Sequence, residues 1–310
     1  MQEPHDLMTI WITGCAGFLG SRLAPTLRAQ GHYVVSLSRR PCPAADRSIS
    51  IDLASEKACH QLERLGQECG YPEVVVHAAS RQPGRYQLSE YIRSNVLTTA
   101  HLLDALVSRP PRQLIYTSTQ RIYGRTDLVP VKETHPARGE EPYAITKWWS
   151  EQLLRTVEGP TQTIILRLPS LFGAGQADSF IDGLARLALQ NQAIELFARG
   201  QLIRDALHVD DVIEAIAACV VSPPSDTFCC LNLGCGQPVT TRQYAEALIE
   251  ALGSRSPIVP IDRQTPQPMD LYADIEEAQR QIGFYPTGLR VAMQRYAEEL
   301  RVEQGRENGR

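Results

Sequence analysis

The sequence predicts an α/β protein, with a doubly wound parallel sheet followed by a smaller C-terminal lobe. Three observations predict it. Short β-branched runs alternate with helical stretches up to about residue 172, the pattern of strands joined by helical crossovers. Several of these runs, VVV at 74–76 and TIIL at 163–166, are continuously apolar, as strands covered on both faces require. After about residue 172 the alternation loosens into the helical SFIDGLARLALQ, short strands and Pro-rich stretches such as SPPSD and RQTPQPMD.

Taken in order, MTIWI (8–12) is the first strand, and TGCAGFLG (13–20) turns it into a helix. Pro25 falls inside that helix and is expected to remove a backbone hydrogen bond, kinking or shortening it. YVVSL (33–37), SISI (48–51), EVVVH (73–77), QLIYTS (113–118) and QTIILRL (162–168) supply further strands. Residues 1–172 read as the first domain. Residues 173–310 read mostly as the lobe, with a segment at about 200–235 returning to the sheet.

Composition removes several classes of function. The 310 residues are 43% hydrophobic and 21% charged, the proportions of a folded globular chain rather than a disordered or fibrous one. A net charge of −4 without a basic stripe argues against nucleic acid as a partner. No run reaches the roughly 20 apolar residues of a membrane span, because VIEAIAACVV (212–221) is interrupted by Glu214. The first residues lack the features of a signal peptide, so the expected location is the cytoplasm. Eight scattered cysteines form no CxxC pair and lie near no His at ligand spacing, so they read as reduced thiols and no metal site is expected.

The glycines of TGCAGFLG sit between a strand and a helix, the context that gives such a motif its meaning. Gly14 suits a tight turn, Gly17 lets backbone N–H groups approach a pyrophosphate at the helix start, and Gly20 allows helix and strand to pack closely. A dinucleotide cofactor and a Rossmann-type sheet follow. At the end of the second strand, where an acidic residue would hold the ribose hydroxyls of NAD, the sequence has Ser38, Arg39 and Arg40. Guanidinium groups pair well with phosphate oxygens, so NADP is favoured over NAD.

Two more segments fall at expected strand ends, YTSTQRIYG (116–124) and PYAITK (142–147). Pro142 suits the first turn of a helix, and Tyr143 and Lys147, four apart, share one face of it. An ammonium beside a phenol favours the phenolate, so Lys147 is expected to lower the Tyr143 pKa and fit Tyr143 for acid/base work.

The ordered set of TGxxGxxG, the Asp52-Leu53 pair, HAAS (77–80), Asn95, YTSTQRIYG and YxxxK resembles the extended short-chain dehydrogenase/reductase family. RLPSLFGAGQ (167–176), QLIRDALHVDDV (201–212), LNLGCGQPVT and ADIEEAQRQIGF extend the resemblance over nearly the whole chain, towards the family's NAD(P)-dependent epimerase/dehydratase group. The resemblance implies that Thr119 hydrogen-bonds the reacting oxygen, Tyr143 moves the proton and Lys147 holds the nicotinamide ribose. It implies a cofactor set of Gly14, Gly17, Phe18, Leu19, Gly20, Ser38, Arg39, Arg40, Asp52, Leu53, Ala78, Ala79, Tyr143, Lys147 and Pro169. Thr119, Gln120, Ser170 and Arg204 are implied at the substrate, which would be a nucleotide sugar bound partly by the C-terminal, substrate-binding lobe. Arg204 resembles the arginine that clamps its diphosphate.

Departures narrow the implied chemistry. Family dehydratases carry Asp-Glu after the catalytic Thr, whereas Gln120-Arg121 stands here, which disfavours a 4,6-dehydratase. An epimerase or a 4-ketoreductase remains, with reduction of a smaller carbonyl compound or a non-catalytic NADP-binding regulator as alternatives. Ser170 stands where many sugar-nucleotide members have Asn. The resemblance also implies a homodimer, paired through the segments around 89–108 and 144–157.

Overall fold

The computed structural model describes residues 7–126, 128–177, 179–263 and 270–308. The N-terminal half alternates strand and helix: β1 (Thr9–Thr13), α1 (Phe18–Ala29), β2 (Tyr33–Ser38), β3 (Arg47–Ser50), α2 (Ala58–Cys69) and β4 (Val74–His77). Helices α3 (Leu88–Tyr91) and α4 (Thr98–Leu106) are joined by a π-helical stretch, Ile92–Leu97, and lead to β5 (Gln113–Thr119), α5 (Pro142–Arg155) and β6 (Gln162–Leu168). The C-terminal half contains β7 (Ser170–Phe172), α6 (Phe180–Leu189), β8 (Ile194–Leu196), β9 (Ile203–Arg204), β10 (Ala206–His208) and α7 (Val209–Val221). It continues through β11 (Phe228–Asn232), β12 (Val239–Thr240), α8 (Thr241–Leu252), β13 (Ile258–Pro260), α9 (Glu276–Ile282) and α10 (Leu289–Asn308).

Seven strands form one parallel sheet in the order β11-β6-β5-β4-β1-β2-β3. Strand order runs outward in one direction from β1 to β3 and in the other from β4 to β11. The reversal opens a crevice at the carboxyl ends of β1 and β4, the place where such sheets bind ligands. The doubly wound fold expected from the sequence is therefore present, and β11, far along the chain, completes it.

Strand pleating explains the continuous apolar runs. Ile10, Ile12, Val34, Val74 and Val76 face one layer with Leu23 and Leu27 of α1 and Val212 and Ile216 of α7. Their neighbours Trp11, Val35 and Val75 face the other, against Leu62 and Leu65 of α2, Leu102 of α4 and Leu154 of α5. A third cluster, with Phe172, Ile181, Tyr244, Leu248, Met293 and Tyr296, forms the lobe core between α6, α8 and α10. Arg22 of α1 binds Glu299 of α10 at 2.8 Å and the Ala174 carbonyl at 2.7 Å, clamping lobe to sheet. Leu97 and Trp149, on the helices named above for self-association, are exposed.

The shortening expected at Pro25 does not occur. Helix α1 runs through Pro25 to Ala29 without shortening. Pro25 lies on the exposed side, so the Ser21 carbonyl it leaves unpaired faces water, where that loss is small. The segment 264–269 of the Pro-rich RQTPQPMD lies outside the described residues.

One buried ion pair ties the sheet to helix α5. Arg167 of β6 donates to both carboxylate oxygens of Glu151, at 3.2 and 2.8 Å, with side chains 3% and 0% exposed. Ser118 of β5 donates to Glu151 Oε1 at 2.5 Å, and Arg167 donates onward to the Tyr123 hydroxyl at 2.9 Å and the Glu133 carbonyl at 2.9 Å. Tyr123 in turn donates to Asn232 of β11 at 2.6 Å. Arg167→Met is expected to cost about 3–5 kcal/mol, because it strands Glu151 as an uncompensated buried charge. Chemical denaturation measures this, and a loss under about 1 kcal/mol would show that the pair is not what holds α5.

Candidate active site

Every residue implied from the sequence for cofactor, substrate or catalysis lines one cleft of about 1390 Å³ along the carboxyl edge of the sheet. At one end the β1–α1 turn forms a cradle of bare backbone. Gly14 has φ +68°, and a Cβ there would lie 2.8 Å from the Ala79 backbone. A Cβ on Gly20 would lie 2.6 Å from Cys15 Cα and from the Gly14 carbonyl oxygen, and one on Gly17 would lie 3.0 Å from that oxygen. Gly17 is the N-cap of α1, so Phe18, Leu19 and Gly20 offer the helix's first amides to the cleft. This cradle suits a dinucleotide pyrophosphate.

The opposing wall is fixed by a buried polar chain. Ala79 N–H donates to Thr13 Oγ1 at 3.0 Å, and Thr13 Oγ1 lies 2.7 Å from His77 Nδ1. Thr99 Oγ1 donates its one proton to the Asn95 carbonyl at 2.8 Å, so at 2.9 Å it accepts from His77 Nε2–H. His77 is thus the Nε2–H tautomer and Thr13 donates to Nδ1. Burial, with Lys147 nearby, lowers the His77 pKa to about 3 and keeps it neutral. The chain holds Ala78 and Ala79 against the cradle.

Beyond the cradle, Ser38 donates to the Arg40 carbonyl at 2.8 Å, while the exposed Arg40 reaches the Ala16 carbonyl at 3.2 Å and Arg39 is also exposed. Asp52 accepts from Ala54 N–H at 3.1 Å and Arg93 at 3.3 Å, and the Leu53 carbonyl lies 2.8 Å from His101 Nδ1.

At the centre, Thr119 ends β5 and caps the following 3₁₀ turn, Gln120–Tyr123, accepting the Arg121 N–H at 3.2 Å. Tyr143 enters from the first turn of α5, which begins at Pro142, and lines the cleft with Thr119 and Ser80. Burial pushes its phenol up to about 12, against the opposing pull of the Arg121 guanidinium and the Thr119 and Ser80 hydroxyls. Lys147 is not among the leading effects on the Tyr143 phenol. Lys147 donates to the Thr117 carbonyl at 2.5 Å and sits 4.0 Å from the centre of the Tyr116 ring. Burial lowers its own pKa to about 7 despite Glu151, and Arg121 is the leading cation acting on Tyr143.

The sequence and fold match known proteins. The model of the NAD dependent epimerase/dehydratase family matches residues 10–229. The chain belongs to that family. Protein CapI of Staphylococcus aureus is 27% identical, over 90% of this chain and 94% of that protein. UDP-glucose 4-epimerase of Corynebacterium glutamicum is also 27% identical, over 90% of this chain and 91% of its own. The solved structure of MoeE5 in complex with UDP-glucose and NAD is 31% identical with a TM-score of 0.81, covering 96% of this chain and 99% of that one.

Within this family framework the lobe end of the cleft holds Pro169, Ser170, Gln120 and Arg204. Ser170 is exposed, on the strand after β6. The Gln120 amide is occupied by the protein, donating to Asp205 at 3.2 Å and to the Leu233 carbonyl at 2.8 Å. Asp205 also accepts the backbone N–H groups of Cys235 and Ala273, at 2.8 and 3.0 Å, which joins three separate segments under the substrate end. Arg204 is partly buried, and burial lowers its pKa.

Sequence reasoning missed several members. Ser80 is visible only as the last letter of HAAS, Arg121 stands out only as a departure from the dehydratase pattern, and its ion pair with Glu141 at 2.5 Å has no signal in the sequence. Cys15 and Cys42, read singly, lie with sulfurs 3.1 Å apart and link the glycine turn to the arginine loop. No spacing rule brings residues 27 positions apart together.

Because Lys147 titrates near 7 folded and near 10.5 unfolded, the unfolded chain binds the extra proton between those values, and this group makes stability rise with pH there. Lys147→Met is therefore expected to raise the melting temperature most at pH 7 and below, with the gain shrinking towards pH 10. A gain independent of pH would mean that Lys147 is not a destabilised buried amine.

Proposed function

We propose that the chain is a nucleotide-sugar 4-epimerase. The observation that carries this reading is that Thr119, Tyr143 and Lys147 line one cleft together with the glycine cradle and Arg204. Relatives spanning nearly the whole chain are named UDP-glucose 4-epimerase, which supports the same reaction here.

The dinucleotide, when bound, supplies a hydride acceptor and donor at the sugar's C4. Tyr143 takes the proton of the C4 hydroxyl as phenolate and gives it back as phenol, a role that needs positive charge nearby to offset the burial that otherwise holds the phenol up, and Thr119 hydrogen-bonds the same oxygen and orients it. Lys147, anchored on Thr117, fixes the floor of the site beside the cofactor ribose. Arg204 meets the diphosphate, whose oxygens match its paired N–H groups. Gln120 and Arg121 stand where elimination would need acids, and neither side chain is one. That supports epimerisation over 4,6-dehydration.

A second reading, 4-ketoreduction with NADPH, is favoured by one observation. Ser38, Arg39 and Arg40 close the adenosine end without a carboxylate at the end of β2. We propose a preference for NADP on the same ground.

Incubation with NAD(H) or NADP(H) and UDP-linked sugars separates these readings. Inversion at C4 by NMR without net change in cofactor absorbance is the expected result, net loss of NADPH would make the enzyme a ketoreductase, and neither would reject both. Tyr143→Phe should keep cofactor binding and lose about 10²–10⁴-fold in turnover, the usual contribution of a proton-transfer group. Turnover within a few-fold of wild type would take Tyr143 out of the mechanism.

Arg39→Ala with Arg40→Ala should weaken NADPH by about 10-fold or more relative to NADH, since charge-assisted bonds to the 2′-phosphate are lost. Equal weakening of both would refute the phosphate role.

A further inference from the structure

We propose that Asp205 is a positioning residue that makes Gln120 an acceptor-only group, so that the site demands a donating hydroxyl on the sugar beside C4. The proposal rests on the reading that Thr119 and Tyr143 act at C4 of a nucleotide sugar.

The Gln120 amide has one orientation. Its Nε2 donates to Asp205 Oδ2 at 3.2 Å and to the Leu233 carbonyl at 2.8 Å. A carboxylate and a carbonyl only accept, so both N–H groups of the amide are spent on them and its Oε1 is turned the other way. Among the described residues Oε1 has no protein partner, and it is not one of the buried polar atoms sealed off without one. Gln120 is 3% exposed and lines the cleft, so this oxygen opens into it.

Asp205 cannot yield. It is buried, its Oδ1 accepts the Cys235 N–H at 2.8 Å, and its Oδ2 accepts the Ala273 N–H at 3.0 Å besides Gln120. Gly234 closes over the carboxylate with no room for a Cβ, and the Asp205 carbonyl accepts the Ser170 N–H at 3.3 Å. A carboxylate held at both oxygens keeps its place, and it gives the amide no proton to accept.

Position says what the acceptor meets. Gln120 directly follows Thr119 and Asp205 directly follows Arg204, so their hydrogen bond ties the segment at the reacting oxygen to the segment at the diphosphate. On a hexose the hydroxyls flanking C4 are those on C3 and C6. Either binds Oε1 by donating its proton. A fluorine in the same place has no proton to give and leaves the buried acceptor unpaired.

Calorimetry on the cofactor-loaded protein with UDP, UDP-glucose and its 3-deoxy-3-fluoro and 6-deoxy-6-fluoro analogues tests this. At least one analogue should bind about 10-fold more weakly than UDP-glucose, and the position of that fluorine identifies the hydroxyl. In Gln120→Leu the penalty should fall below about 2-fold, because no acceptor is left to satisfy. Asp205→Asn puts a donor beside the amide and lets it turn, so the penalty should fall there too. Should that variant not fold, Gly234→Ala, which crowds the carboxylate and keeps every charge, carries the same expectation. No penalty at either position in the wild type overturns the proposal, as does a penalty that persists in Gln120→Leu. A penalty that persists in Asp205→Asn or Gly234→Ala, with all ligands weakened alike, marks a merely structural residue and overturns the positioning role. If UDP and UDP-glucose themselves fail to bind, the nucleotide-sugar reading falls.

Discussion

The geometry of the site depends on a charge pair that no ligand touches. Glu151 and Arg167 are buried beneath α5, and together they collect bonds from β5, β6, the 3₁₀ turn and, through Tyr123 and Asn232, β11. Desolvating two charges is costly, and an apolar pair of the same shape would pack as well or better. What the ion pair adds is direction. Apolar contacts let a helix slide or rotate by fractions of an ångström at little cost, while a carboxylate held by Ser118 and by two guanidinium nitrogens allows one position. Glu151 lies one helical turn beyond Lys147 and two beyond Tyr143, so fixing Glu151 fixes both.

At the other end of the cleft the constraint is steric. Gly14 and Gly20 bring α1 so close to β1 and to Ala79 that any side chain would overlap backbone. The opposing wall cannot retreat, because Ala79 is tied through Thr13 and His77 to Thr99 of α4. Removing side chains from one wall and fixing the other leaves amides and α-carbons facing the cleft, a surface that a phosphate backbone can approach closely. The Arg22–Glu299 clamp then joins the back of α1 to the lobe.

Much of this was legible in the sequence, for identifiable reasons. The strands could be read because burial on both faces leaves a continuous apolar run, and the glycines because their spacing reports a backbone requirement. Tyr143 and Lys147 could be placed because helical periodicity puts residues four apart on one face. Pro25 misled because sequence does not say which side of α1 meets water. The size of the Lys147 effect is harder to read. A charged neighbour can be predicted from spacing, but the burial that lowers its pKa depends on β5 packing against it. The Arg121–Glu141 pair and the Cys15–Cys42 contact were silent because the partners are distant in the chain and follow no period.

The electrostatics of the centre follow from that closure. Water is excluded around Tyr143 and Lys147, so both groups move towards their neutral forms: the phenol up to about 12 and the amine down to about 7. A dry site also strengthens every charge that remains close by. Arg121, paired with Glu141 at the cleft margin, acts on Tyr143 from a part-exposed position. Charge is thus divided by place: the buried Glu151–Arg167 pair positions α5 from below, whereas Arg121 and Arg204 line the cleft itself, where an incoming anion meets them.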